Sequence, residues 1–296
     1  MSATMLTDAV RSEAYRFTKN RMAVFWSVLF VPVLFLAIGT VVQLFTKARM
    51  AEMTRALPPE MTAQGGPLSG SGPLDLGAAL VSQASDFANP IVLLFVLIGA
   101  AIVYAGDYRW ETWRLTSARN SRLNLVLGKV AVVFAVVLAS LATWLVFGLI
   151  GEIIKATIFG RPLTFGFGAE EAGQLGAFIA VMVTRVMQFT MISLLAAALT
   201  RSLLAALFVP MVVAVGQFFL MQALPLFGWS TGDLQSQLLM PGLATDSLKA
   251  LIEGGAAAAE ASDGIGSKAW LSLALWAIWP LVAALAWFQR QDLSKE

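Results

Sequence analysis

Two groups of residues could carry chemistry in a sequence that is 58% hydrophobic and 13% charged. The first is the stretch Asp107–Lys129, where tryptophans stand among arginines and acids. Such a mixture is typical of a membrane-surface belt, or of a segment that binds another protein. The second is Arg185, which interrupts a long apolar run, with the amide of Gln217 in the next run. An arginine in such a place either bonds to carbonyl and amide groups or meets an anionic ligand.

Several kinds of chemistry are excluded by what the sequence lacks. It contains no Cys and no His, which removes the usual ligands of zinc, haem and iron–sulfur clusters. Gly128-Lys129 is not a phosphate loop, because Val130 follows it and no glycine stands five residues before Gly128. The apolar runs hold no Asp, Glu, His or Lys, which argues against proton or sodium coupling and against an intramembrane protease. We therefore predict a chain that is not an enzyme, in which a partner supplies the energy for any uphill transport.

Six apolar runs are long enough to cross a bilayer, which takes about 20 residues. They are predicted at residues 22–45, 90–106, 130–150, 175–199, 203–224 and 269–288. We therefore expect an all-α polytopic membrane protein, with one transmembrane domain over residues 22–288 and no separate soluble module. The first run is longer than the apolar part of a signal peptide, and we expect it to be an uncleaved anchor.

The basic residues predict an orientation with both ends in the cytoplasm. With that orientation, twelve Lys and Arg lie in inner segments and seven in outer ones, and membrane proteins favour the inner side. The expected location is the bacterial inner membrane, with residues 289–296 as a cytoplasmic tail.

Three long connections then fall on the outer side, over residues 46–89, 151–174 and 225–268. The first is rich in proline and glycine from Pro58 to Pro73, which predicts a mobile loop. A short helix is predicted over Ala244–Ile252 in the third, ended by Gly254-Gly255.

Residues 1–21 are predicted to form a cytoplasmic amphipathic helix over Thr7–Arg21. Its apolar positions are three and four residues apart, at Leu6, Val10, Ala14 and Phe17. Two interpretations remain open: a helix that lies on the inner leaflet, or a charged start that only orients the first span.

Residues 107–122 resemble the cytoplasmic coupling segment of the ABC type-2 permease family, the membrane subunits of one class of ATP-binding-cassette exporter. The residues that carry the resemblance are Asp107, Thr112, Leu115, Ser121-Arg122 and Gly128-Lys129. Glu111 departs from the pattern, because the family often has glycine there. The stretch from Ser12-Glu13-Ala14 to Asn20-Arg21 is similar to the family's helix before the first span, and the six-span topology also agrees.

The resemblance implies the permease subunit of an exporter, which couples to a separate ABC ATPase through the segment between spans 2 and 3. The implied coupling residues are Asp107, Glu111, Thr112, Trp113, Arg114, Leu115, Arg119 and Arg122. ATP and Mg²⁺ would bind the ATPase, and this chain would need no cofactor of its own. The implied partners are that ATPase, a second permease subunit, identical or different, and the lipid bilayer, with no nucleic acid.

Two other functions stay open at this point. One is a structural or assembly membrane protein that transports nothing, and the other is a membrane enzyme or channel. An ATPase that co-purifies with the chain would favour the permease. The sequence does not identify the transported substrate, because a cavity lined by apolar and amide residues can bind many kinds of solute. Arg185 and Gln217 are the candidate residues of that cavity.

Overall fold

The computed structural model describes residues 3–56, 72–109, 120–254 and 264–291. These ranges are almost entirely helical. The helices are α1 (Ala3–Lys19), α2 (Arg21–Val24), α3 (Phe30–Ala56), α4 (Leu76–Ser85), α5 (Pro90–Arg109), α6 (Arg122–Phe159), α7 (Ala169–Thr200), α8 (Leu203–Gln222), α9 (Leu234–Leu239), α10 (Pro241–Glu253) and α11 (Ile265–Arg290). A π-helix, Phe25–Leu29, joins α2 to α3, and a 3₁₀ turn, Leu224–Phe227, follows α8. Two short strands, β1 (Leu74–Asp75) and β2 (Leu163–Thr164), pair in parallel.

Six helical segments in the described part of the chain are long and apolar enough to cross a membrane, as predicted. They are Arg21–Glu52, Pro90–Tyr108, Arg122–Phe159, Ala169–Thr200, Leu203–Gln222 and Ile265–Arg290. The architecture is that of an all-α, multi-pass membrane protein. The residues 57–71 that contain most of the predicted mobile loop lie outside the described ranges, as do residues 110–119 and 255–263.

Most of the predicted spans are shorter than the helices that contain them. The first helical segment continues to Ala56, and the third runs from Arg122 to Phe159. The apolar run marks only the part that suits hydrocarbon, whereas the helix continues wherever its polar residues find partners. Lys155, for example, pairs with Glu152 one turn earlier, at 3.0 Å.

The predicted connections are correspondingly too long. The connection predicted over 151–174 shrinks to residues 160–168, and the one over 46–89 contains the end of α3 and the whole of α4. The predicted helix Ala244–Ile252 begins three residues early, at Pro241, because proline is favoured in the first turn of a helix. It ends at Glu253, and Gly254 caps it with a positive φ of 74°.

The first span contains the π-helical turn Phe25–Leu29, and side chains of α6 donate hydrogen bonds to two carbonyls within it. A π-helix leaves backbone groups without their usual partners, which is costly inside a membrane. Ser140 Oγ donates to the carbonyl of Ser27 at 2.7 Å, and Thr143 Oγ1 donates to that of Val28 at 2.8 Å. Gly99 on α5 admits the turn, since a Cβ there would lie 2.7 Å from Ser27 Cβ.

Helix α7 forms the centre of the bundle and packs against α4, α5, α8, α10 and α11. In its most apolar window 67% of the residues are buried, against 17% for the first span and 17% for α8. Exposed apolar side chains follow one face of α8, among them Phe208, Val212 and Phe219. The first span and α8 therefore present the surfaces that lipid or a partner must cover.

Helix α1 lies against one end of the bundle, which we call the terminal end. Both the start of α6 and the end of α11 are found there. Ala9 and Phe17 are buried in the core formed with α5, α6, α7 and α11, whereas Tyr15 stays 64% exposed. Gly128 on α6 permits the close approach, since a Cβ there would lie 3.0 Å from Ala9 Cβ and 3.3 Å from the backbone nitrogen of Val10.

Replacing Gly128 with leucine should push α1 away from α6. The added side chain would meet α1 backbone as well as side chain, so we expect a loss of about 1–3 kcal/mol and faster amide hydrogen exchange throughout α1. The matched control is Gly106→Leu, because nothing lies within 4 Å of a Cβ at that position. Equal exchange in the two variants would contradict the packing described for α1.

Candidate functional site

Four charged side chains meet inside the terminal end and form what we call the ion network: Glu13, Arg16, Asp107 and Lys129. Asp107 receives Arg16 Nη2 on Oδ1 at 2.6 Å and Lys129 Nζ on Oδ2 at 2.6 Å. Glu13 Oε1 lies 3.1 Å from both Arg16 Nη1 and Lys129 Nζ. The network joins α1 to α5 and α6 with each charge next to opposite charges.

Glu13, Asp107 and Lys129 are buried to a degree that requires this pairing, whereas the Arg16 side chain is 40% exposed. Asp107 is 1% exposed and Lys129 is 2% exposed, and charges so deeply buried are costly unless they are paired and hydrogen-bonded. Lys129 Nζ also donates to the carbonyl of Val103 at 2.8 Å. Breaking one pair would leave a buried charge with too few partners, so removing any member should loosen α1.

The ion network was not predicted from the sequence, because Asp107 and Lys129 lie outside the predicted spans. Both lie in helices that continue the predicted spans beyond their apolar runs, so charged residues follow directly on those runs at the terminal end. The signal available in the sequence was the position of Glu13 within α1. Glu13 falls between Ala9 and Phe17 at helical spacing, on the face that is buried.

Arg122, at the other end of the predicted coupling segment, binds the end of the last span. Its Nη1 donates to the carbonyls of Phe288, Gln289 and Gln291 at 3.1, 3.0 and 2.7 Å. The last carbonyls of a helix lack partners within it and carry partial negative charge, so a guanidinium is well placed there. Gln291 in turn bonds the carbonyl of Ala198 on α7.

Both ends of the connection between α5 and α6 are therefore fixed to the bundle. Asp107 binds α1 through Arg16, and Asn120 Nδ2 donates to the carbonyl of Met5 at 2.7 Å. Asp107 and Arg122 thus have internal partners and do not form an open binding surface. The other predicted coupling residues lie outside the described ranges: Glu111, Thr112, Trp113, Arg114, Leu115 and Arg119.

In the described part of the chain, the short turn between α7 and α8 also lies at the terminal end. It consists of Arg201 and Ser202, with Ser202 capping α8. Arg201 has a φ of 56°, a left-handed conformation that is uncommon for a residue with a side chain, and its N–H bonds the carbonyl of Ala197 at 2.8 Å. Such a turn offers little surface to a partner.

Arg185 lies in the interior of α7 and joins three spans, as one of its predicted interpretations requires. Its Nη2 donates to Gln217 Oε1 on α8 at 3.1 Å, and its Nη1 donates to Gln188 Oε1 at 3.0 Å. Gln188 extends these hydrogen bonds to a third span, because its Nε2 donates to the carbonyl of Leu273 on α11 at 2.9 Å. The guanidinium also lies 4.5 Å from the ring centroid of Phe189.

A cavity of about 310 Å³ opens beside Arg185, towards the end of the bundle opposite the terminal end. Helices α7, α8 and α10 and the end of α4 form its wall. Its polar lining comprises Ser85, Asp86, Asn89, Arg185, Gln217, Thr245, Asp246 and Lys249. Gly242 brings α10 close to the guanidinium, since a Cβ there would lie 3.4 Å from Arg185 Nη2.

The charges around this cavity balance. Lys249 Nζ and Asp86 Oδ1 are 4.0 Å apart, and Asp246 lies within electrostatic reach of both Lys249 and Arg185. Loss of hydration raises the pKa of the Asp246 carboxyl above its usual range, and the two cations oppose that rise. Among the described residues, no three His, Cys, Asp or Glu side chains come together to hold a metal ion.

A double-mutant cycle should detect the ion network. We expect Asp107→Asn and Lys129→Met each to cost about 3–5 kcal/mol, because each leaves buried charge uncompensated, and the double variant to cost less than their sum. Thermal unfolding of the purified protein measures all three. The control is Glu52→Gln, which breaks an exposed pair with Arg49 and should cost less than about 1 kcal/mol. Strictly additive losses would mean that Asp107 and Lys129 do not interact.

No protein-family model, no curated protein and no solved structure matches the chain. The similarity of residues 107–122 to the coupling segment of ABC type-2 permeases therefore stays a hypothesis that rests on the residue pattern alone.

Proposed function

We propose that this chain is the membrane-spanning permease subunit of an ABC exporter in the bacterial inner membrane. It forms part of a translocation path and hydrolyses no nucleotide itself. ATP and Mg²⁺ bind a separate ATPase subunit, which docks on residues 107–122. The terminal end is then cytoplasmic, and the end with α4, α9 and α10 faces outward.

The observation that supports this most is that the described residues on either side of 110–119 are bound to the bundle. A segment that receives force from a partner must transmit it to the spans, which requires stiff attachments. Asp107 attaches one end to α1 and α6, and Arg122 attaches the other to the end of α11. In this proposal Asp107 and Arg122 are positioning residues. Contact with the ATPase falls to the residues between them, with Trp113 and Leu115 as the apolar anchors.

A second permease subunit is part of the proposal. A single bundle of six spans is small for surrounding a translocation path, whereas two such bundles could enclose the path between them. The first span and α8 are the least buried helices and carry exposed apolar side chains, so they offer surface for lipid and for a second copy. The second copy is identical to this chain or a related one.

Two changes in the coupling segment should uncouple the ATPase. Reversal of a charge in a packed protein groove, or a charge at an apolar anchor, costs several kcal/mol of binding. We therefore expect Glu111→Arg, and separately Leu115→Asp, to abolish transport-linked ATP hydrolysis or to release the ATPase during purification. The protein should still insert, because these positions are predicted to lie outside the bilayer.

The matched controls are the same changes at the opposite end of the bundle, Glu253→Arg and Leu251→Asp. Both positions are exposed at the end of α10, so the protein should fold and keep its ATPase. If these variants lose the ATPase while the segment variants keep it, both the orientation and the proposed function are wrong.

The orientation can be tested separately, since a chain without Cys makes any introduced Cys unique. Thr231 is exposed between α8 and α9, and Ser121 is exposed at the start of α6. We expect Thr231→Cys to react with a membrane-impermeant maleimide in intact cells, and Ser121→Cys to react only after permeabilisation. The opposite labelling pattern would place the terminal end outside and rule out a cytoplasmic ATPase there.

A further inference from the structure

Beside Arg185, at the inner end of the cavity, Gln217 has a hydrogen-bond donor for which the described residues supply no acceptor. Gln217 is 8% exposed, and its Nε2 is buried with no partner within the described structure. Arg185 uses Nη1 and Nη2 for Gln188 and Gln217, and a guanidinium has five N–H donors. A buried donor without an acceptor costs free energy, so this arrangement points to an acceptor that the chain does not supply.

The acids lie on other walls of the same cavity. Asp246 projects from α10 and Asp86 from the residues after α4, whereas Arg185 and Gln217 belong to α7 and α8. Lys249 is the only other cation among the cavity residues, and it pairs with Asp86 at 4.0 Å. Among the described residues, Lys249 and Arg185 also influence Asp246, but neither lies within ion-pair distance of it, so the Asp246 carboxylate can meet a cation brought by a ligand.

We infer that this cavity binds a small zwitterion, with an anionic oxygen group at Arg185 and Gln217 and an ammonium group at Asp246. A simple anion would satisfy the donors but would add net negative charge beside Asp246. A simple cation would leave Gln217 Nε2 without an acceptor. A ligand that carries both charges satisfies the donors and preserves the balance of the cavity.

The size of the cavity limits the ligand. Pockets for small molecules begin at roughly 300 Å³, so about 310 Å³ suits a compound of few heavy atoms or the head of a larger one. Phe218 and Met221 line one wall, and Phe218 is 55% exposed on the outer face of α8. A phospholipid headgroup and a free metabolite share this chemistry, and the two sources can be separated by experiment.

The first arm measures soluble ligands with the full chain purified in detergent. The probes are O-phosphoethanolamine, which carries both charges, ethyl phosphate, which carries only the anion, and ethanolamine, which carries only the cation. We expect phosphoethanolamine to bind at least about tenfold more tightly than either half in calorimetric titration, since each charged hydrogen bond is worth about that factor. Binding of ethyl phosphate as tight as that of phosphoethanolamine would overturn the inference.

Three variants assign the two ends of the ligand. Arg185→Gln and Gln217→Leu should weaken phosphoethanolamine and ethyl phosphate alike, whereas Asp246→Asn should weaken only phosphoethanolamine. Because Asp246 is exposed, its variant remains informative even if Arg185→Gln fails to fold. The matched control is Arg49→Gln, an exposed arginine on α3 whose removal should change no affinity. Unchanged binding in all three variants would show that the ligand binds elsewhere on the protein and would contradict the inference.

The second arm tests the lipid source by native mass spectrometry. Protein extracted from a mixture of phosphatidylethanolamine and phosphatidylglycerol should retain phosphatidylethanolamine, and the Asp246→Asn variant should lose it. If phosphatidylethanolamine is retained but free phosphoethanolamine does not bind, the ligand is a lipid. If phosphoethanolamine binds but the lipid is not retained, the ligand is a soluble compound. Absence of binding in both arms would refute the inference. Neither arm uses the ATPase, so failure here leaves the proposed permease function untouched, while transport of the bound zwitterion would rest on that function.

Discussion

Burial of Lys129 with Asp107 is the constraint on which the terminal end depends. Neither charge is tolerable there without the other, and Glu13 and Arg16 complete the set from a helix that precedes the first span. The N-terminal helix is therefore an integral part of the bundle. Its sequence must satisfy two requirements at once: small residues that approach Gly128, and one acid at the buried position between Ala9 and Phe17.

The amino-acid sequence was sufficient to predict the number of long apolar helices, because about 20 apolar residues in a row suit little else than a bilayer. It also indicated that Arg185 needs a partner inside the protein and offered the amide of Gln217 as one candidate, and the structure has that hydrogen bond. Both predictions depend on the hydrophobicity of short stretches of sequence, which requires no knowledge of contacts between distant residues.

Contacts between distant segments could not be read in this way. The helix ends were misplaced because charged residues such as Glu152 and Lys155 sustain a helix beyond its apolar run. Arg122 binds the carbonyls of Phe288 and Gln289, which are more than 160 residues away in the sequence. No local sequence pattern predicts these hydrogen bonds. The cavity at Arg185 also required α10 to fold back over the spans, which its composition alone does not indicate.

The two-residue turn at Arg201 makes α7 and α8 a hairpin that is closed at both ends. One closure is covalent, and the other is the hydrogen bond from Arg185 to Gln217 near the far end of α8. Helix α8 cannot slide along α7 unless that bond breaks or the turn is strained further. A partner bound to the exposed face of α8 would therefore move α7 and α8 together. Such a movement would change the shape of the cavity although the partner does not contact the cavity.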